Sequence, residues 1–101
     1  MTIELNWIMD PGHGWLIISR GDLKAAGLTE ADISPYSYQK GDQLALEEDS
    51  DAAIYIAARY PGVRVGAMKH NETLIEVGGP RTWASFGTKP YGGSSTTGDA
   101  A

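Results

Sequence analysis

The stretch LEEDSDAAIYIAARYPG, residues 46–62, sets Glu47, Glu48, Asp49 and Asp51 directly ahead of an apolar run. Asp49 or Ser50 is a good N-cap, and Asp51 falls in a first turn, where unpaired amides and the helix dipole favour a carboxylate. Behind them Ala53, Ile54, Ala57, Ala58 and Tyr60 recur at helical spacing. Pro61-Gly62 supplies the stop. The spacing predicts a helix over residues 49–60, about three turns at 3.6 residues per turn, with the acids serving chiefly to start it.

Everything around this helix reads as sheet. Ile3, Leu5 and Trp7 alternate with Thr2, Glu4 and Asn6, the pattern of a half-buried strand. DPGHG, residues 10–14, offers a turn-setting proline and two glycines able to take positive φ. WLIIS, residues 15–19, then returns as a central strand, which makes an antiparallel pair. Asp22 can cap a short helix near residues 22–26, and Gly27 is a natural left-handed stop. Thr29 starts another turn that Pro35 ends. Residues 36–39 and 43–47 read as strands joined through Gly41-Asp42, a two-residue hairpin signal. Val63, Val65 and Ala67 suggest a further strand, with a reversal at His70-Asn71 and a return over residues 73–77. Trp83 and Phe86 are expected to pack on the sheet. Gly-, Ser- and Thr-rich residues 89–101 have little to bury and read as a disordered tail.

The fold class expected is therefore α+β. A twisted antiparallel sheet of five to six strands carries the main helix on one face, in a single domain over residues 1–88. The chain has 101 residues, which fits one domain. It contains no cysteine, so disulfides, thiolate metal sites and cysteine nucleophiles drop out together. No basic leader precedes an apolar block, and the longest apolar run, residues 15–18, is far too short to span a bilayer. These features point to the cytoplasm and away from membranes. With 13 acidic against 8 basic residues the net charge is −5, and the basic residues are scattered singly. Direct nucleic-acid binding is disfavoured, since phosphate recognition wants a basic patch. A protein partner with a basic surface is permitted.

Candidate chemistry is sparse. The acidic residues are consecutive, without the glycine-bearing alternation of a calcium loop, and adjacent strand residues such as Glu47 and Glu48 point to opposite faces. They serve as helix starters with a docking role laid on top. His13, between two glycines and beside Asp10, sits where a general base or metal ligand would. His70 is the other histidine, and neither belongs to a ligand motif. No serine stands in a nucleophile elbow, and no phosphate loop or cofactor motif is present. Tyr36 and Tyr38 share one strand face, either as core or as an anchor patch for a partner.

DPGHGWL (residues 10–16), YSYQKGD (residues 36–42) and LEEDSDA (residues 46–52) together resemble a family of small uncharacterised proteins encoded by phages, prophages and plasmids. Those share D-P-G-H-G-W-L, Y-S-Y-x-x-G-D and L-E-E-D-x-D-A, dispersed here through residues 10–58. The resemblance implies a mobile-element origin, and by analogy a role in binding host proteins, as anti-CRISPR and antirestriction inhibitors do. The function expected is non-enzymatic and works by protein contacts. The partner-binding residues expected are Glu47, Glu48, Asp49, Asp51, His13, Tyr36 and Tyr38, with no metal and no cofactor. A small metal-dependent or hydrolytic enzyme using His13 and Asp10, and a self-associating structural module, are the alternatives.

Overall fold

A computed structural model describes residues 2–85. The expected packing of Phe86 and the expected tail at residues 89–101 lie outside the described residues. The architecture is α+β. Strands β1 (Glu4–Met9), β2 (Gly14–Ser19), β3 (Tyr38–Lys40), β4 (Gln43–Glu47), β5 (Lys69–Leu74) and β6 (Ala84–Ser85) form one sheet in the order β5-β1-β2-β4-β3-β6. Helices α1 (Arg20–Ala25) and α2 (Asp51–Arg59) complete the secondary structure with three short 3-10 turns. Among the described residues no helix is long and apolar enough to cross a membrane.

The alternation read in residues 2–7 and the apolar run after Gly14 do pair antiparallel, with Trp7 opposite Leu16 and Ile8 opposite Trp15. The β3–β4 hairpin turns at Gly41, whose φ of 58° needs a residue without a Cβ. Gly12 and Gly14 do not take positive φ, contrary to expectation. Both lie against long side chains instead: a Cβ on Gly14 would lie 2.6 Å from Met9 Sδ, and one on Gly12 would lie 3.1 Å from Arg81 Nη2, so either addition would displace that side chain's end. The cap of α1 is also shifted from Asp22 to Ser19. Ser19 Oγ accepts from the Asp22 amide while the Asp22 carboxylate accepts from the Ser19 amide, a reciprocal capping box.

The sheet is mixed rather than wholly antiparallel. The reversal expected at His70-Asn71 is absent; both residues lie inside β5, which runs parallel to β1 with Leu5 opposite His70 and Asn6 opposite Asn71. The cause is the crossover through α2, which carries the chain from the centre of the sheet back to its far edge. A parallel neighbour needs such a connection. Residues 65–67, read as strand, form a 3-10 turn within that crossover.

Leu5, Leu16, Ile18, Leu44 and Leu46 form one face of the sheet and pack with Leu23, Ala52, Tyr55, Ile56 and Met68 into the core. Burial pushes the Tyr55 hydroxyl up to about 12. The face of α2 that enters this core is Ala52, Tyr55 and Ile56; of the stripe expected from spacing, Ala53, Ile54, Ala57 and Ala58 are exposed and Tyr60 is half-buried against the core.

Among the described residues neither α1 nor α2 lies on the opposite face of the sheet. β5 and β6 lie at opposite edges, so residues 75–83 must cross the sheet between them. They do so on the side of Ile8 and Trp15: a Cβ on Gly79 would stand 3.9 Å from Ile8 Cγ2, and the Arg81 guanidinium lies over the Trp15 ring at 5.4 Å. This strap, with the half-buried Trp83 at its end, builds the site described next.

Candidate functional site

Trp15 and Glu47 are direct cross-strand partners on β2 and β4, so both project from the strap face. Tyr38 on β3 faces Ala45, two residues before Glu47 and on the same side. The Tyr38 ring meets Trp15 edge-on, centroids 6.1 Å apart at 69°. His13 leans over Trp15 from the β1–β2 loop, its ring stacked at 5.9 Å and 26°. Pro35, Tyr36, Ser50 and Arg81 close the rim. Together these eight residues line an open cleft of about 520 Å3.

Two polar devices hold the cleft in shape. In the first, Asp10 Oδ1 accepts the amides of Gly12 (2.9 Å) and His13 (2.7 Å), which bends the loop into an Asx turn. Its Oδ2 takes Arg81 Nε at 2.5 Å, tying the strap to the loop. Arg81 Nη2 reaches His13 Nδ1 at 2.6 Å. A guanidinium can only donate, so Nδ1 accepts and the ring proton belongs on Nε2. The Arg81 contact, aided by the two amides, outweighs desolvation and holds the Asp10 carboxyl down at about 2; the same contact raises the Arg81 guanidinium.

The sign of the pH response follows from that lowered value. The pair's contribution is complete above the ordinary carboxylate range, about pH 4, and is lost as pH falls through about 2. A carbon-detected NMR titration of the Asp10 carboxyl is expected to show its midpoint near 2. A midpoint near 4 would mean that Arg81 does not grip this loop in solution.

The second device lies beneath the cleft. Asp51 is 2% exposed. Its Oδ2 accepts from the Ser34 amide at 3.1 Å, Ser34 Oγ at 2.6 Å and Ser37 Oγ at 2.5 Å. Ser37 Oγ in turn accepts the Glu47 amide at 2.9 Å. One carboxylate therefore bolts the start of α2 to the Tyr36-Ser37-Tyr38 segment and to the end of β4. Asp51 stands in the first turn of α2 after the N-cap Ser50, as expected, but its carboxylate turns inward to the two serines rather than outward to a partner, and Ser50 makes no side-chain cap bond.

Of the seven expected contact residues, the fold brings His13, Tyr36, Tyr38 and Glu47 to one cleft. Tyr36 is 73% exposed and stands in a turn rather than on the strand, so it is not core. Tyr38 belongs to a strand paired on both sides, which leaves no open edge there. Glu47 is only 9% exposed, so it is not the free surface charge expected. Its Oε1 accepts from the Asp49 amide (3.0 Å) and Ser50 Oγ (3.4 Å), and its Oε2 has no partner among the described residues. Glu48 points to the other side, into an apolar groove between α2 and Trp7, and Asp49 is exposed.

The two histidines are also separated. His70 stacks on Trp7, accepts its indole N–H at Nδ1 (3.1 Å) and faces Val65 O with Nε2 (3.0 Å). Trp7 is on the helix side of the sheet and Trp15 on the strap side. Among the described residues no group of three or more His, Cys, Asp or Glu side chains converges as metal ligands would.

Trp15 and Arg81 are the members of the cleft that sequence reasoning missed. Trp15 reads as one more core residue in an apolar run, and it is 2% exposed. Its indole Nε1 is nevertheless buried without a hydrogen-bond partner among the described residues. Arg81 approaches Asp10 across 71 positions of sequence, which no local pattern registers. Comparison with protein-family models, with curated proteins and with solved structures finds no match to this chain.

Proposed function

We propose that this chain is a non-enzymatic binding protein that engages a protein partner through the His13–Trp15–Tyr36–Tyr38–Glu47 cleft. On the resemblance to phage, prophage and plasmid proteins, the partner is a host protein, and inhibition of a defence system is the role in view. The observation that supports the reading is the convergence of loop, strand and turn residues on one aromatic-walled cleft. Clefts with rigid aromatic anchors and a few placed polar groups are where binding energy concentrates.

Asp10 and His13, the two groups the hydrolase alternative needs, are engaged by the loop and by Arg81. The Asp10 carboxylate bonds loop amides and Arg81 instead of orienting the imidazole, and the His13 Nδ1 faces a guanidinium. A general base needs reach to a nucleophile and a group that orients it. That arrangement favours binding over the His13–Asp10 hydrolase alternative.

Tyr36→Ala tests the reading, because Tyr36 is largely exposed and its removal leaves packing intact. Tagged full-length protein should capture a specific partner from host lysate. Tyr36→Ala is expected to weaken that capture at least ~10-fold, the loss of a modest aromatic hot spot. Its thermal midpoint should stay within about 2 °C of wild type, as for surface substitutions generally. Equal capture by the two proteins would overturn the assignment of this cleft.

A further inference from the structure

The geometry points to a lysine or arginine side chain, carried on an extended peptide segment of the partner, as the group this cleft receives. The inference rests on the proposed partner-binding role and names its chemistry. The first observation behind it is the charge left over after internal pairing. Asp10 and Arg81 neutralise each other, and the imidazole that accepts from Arg81 is uncharged in that arrangement. Glu47 remains, with no salt-bridge partner among the described residues and with an Oε2 that bonds no described protein group and stays open to solvent. Glu47 is mostly enclosed by protein, so a cation pairs with its accessible oxygen more strongly than it would in bulk water.

The second observation is independent and concerns a donor. Trp15 lines the same cleft, and its indole Nε1 is buried without a partner among the described residues. Orphaned buried donors are rare, and an indole N–H can only donate. What it lacks is an acceptor. A cation alone cannot supply one, but a peptide can, through the carbonyl beside a basic residue, once a small shift of the neighbouring side chains uncovers the N–H. Tyr36 and Tyr38 complete the fit, since aromatic rings flanking a carboxylate attract ammonium and guanidinium groups.

An anionic ligand is the competing chemistry, because Arg81 and His13 also line the cleft. It loses on the same accounting. Arg81 Nε and Nη2 are already taken by Asp10 and His13, while an added anion would sit beside the uncompensated Glu47. Like charges placed side by side repel.

The test uses the full chain and four blocked tripeptides with glycine on either side of arginine, lysine, norleucine or glutamate. Binding is read from the indole N–H resonance of Trp15 in nitrogen-15 correlation spectra, assigned by its disappearance in Trp15→Phe. The arginine and lysine peptides should move this resonance saturably, with affinity in the range of about 1 mM expected of one anchored side chain. Norleucine and glutamate peptides should bind at least ~10-fold more weakly, and added salt should weaken the basic peptides. Glu47→Gln keeps an acceptor for Asp49 and Ser50 but removes the charge, so it should reduce arginine-peptide affinity at least ~10-fold, the scale of one charge-assisted hydrogen bond. If the norleucine or glutamate peptide binds as well as arginine, or if none moves Trp15 up to about 20 mM, well past that affinity, the basic-ligand inference fails. Loss of partner capture in Tyr36→Ala would then still uphold the binding role, so the two readings fail separately.

Discussion

Asp51→Ala is expected to cost about 3–4 kcal/mol of unfolding free energy, from the sum of charge-assisted hydrogen bonds lost and buried groups left unpaired. The side chain is 2% exposed and three donors converge on its Oδ2. Two serine hydroxyls can turn to other acceptors, but the Ser34 amide cannot. In a chain of this length each kcal/mol moves the thermal midpoint by roughly 4–8 °C, so a drop of roughly 12–30 °C follows. Urea titration monitored by tryptophan fluorescence measures it. The size of the loss separates two accounts of the same residue. A carboxylate that merely favoured the first turn of α2 would cost only about 0.3–1 kcal/mol on removal. Asp49→Ala supplies the internal control, because the Asp49 side chain is exposed and only its amide is used; it should stay within about 0.5 kcal/mol. A loss at Asp51 no larger than at Asp49 would remove the bolt beneath the cleft.

The same residue shows where sequence stops being informative. Ser34, Ser37 and Asp51 each follow a local rule when read alone, as turn, strand and helix residues. Their joint burial depends on β3 and β4 folding back so that residues 34–37 meet the start of α2. By contrast, the α+β class, the β1–β2 pair, the β3–β4 hairpin and the extent of α2 were legible. Each rests on a short-range pattern: alternation, Gly41-Asp42, or a Pro61-Gly62 stop. Parallel pairing leaves no such mark. His70-Asn71 resembles a turn by residue type, yet the α2 crossover delivers it to the outer edge of β1. The cleft was half legible for the same reason. His13 was singled out for its place in a loop, Tyr36 and Tyr38 for a shared strand face, and Glu47 as part of the acidic cluster before α2. Arg81 entered only because a strap must cross from β5 to β6, and Trp15 only because that strap makes its face a floor.

Helix α2 turns that lesson into a comparison of two isoleucines. Ile54 and Ile56 are two positions apart, so they project about 200° apart around the helix. Spacing favoured Ile54, with Ala53, Ala57, Ala58 and Tyr60, because a stripe of five apolar residues looks continuous. Alanine is a poor guide here: it suits either face and fills little volume. The alternative face offers Tyr55 and Ile56 over Ala52, and that pair fills the space above Leu16, Leu44 and Leu46. Packing volume wins over the count of apolar positions. Ile56 is 6% exposed and Ile54 is 46% exposed. Ile56→Ala should therefore cost about 2–4 kcal/mol, the transfer of three carbons plus the cavity left behind. Ile54→Ala should change stability by less than about 0.5 kcal/mol, with better intrinsic helix propensity offsetting the little burial lost. Chemical denaturation of the two variants decides between the faces. Equal losses, or the larger loss at Ile54, would mean that α2 is rotated about its axis, which would also carry Asp51 away from Ser34 and Ser37.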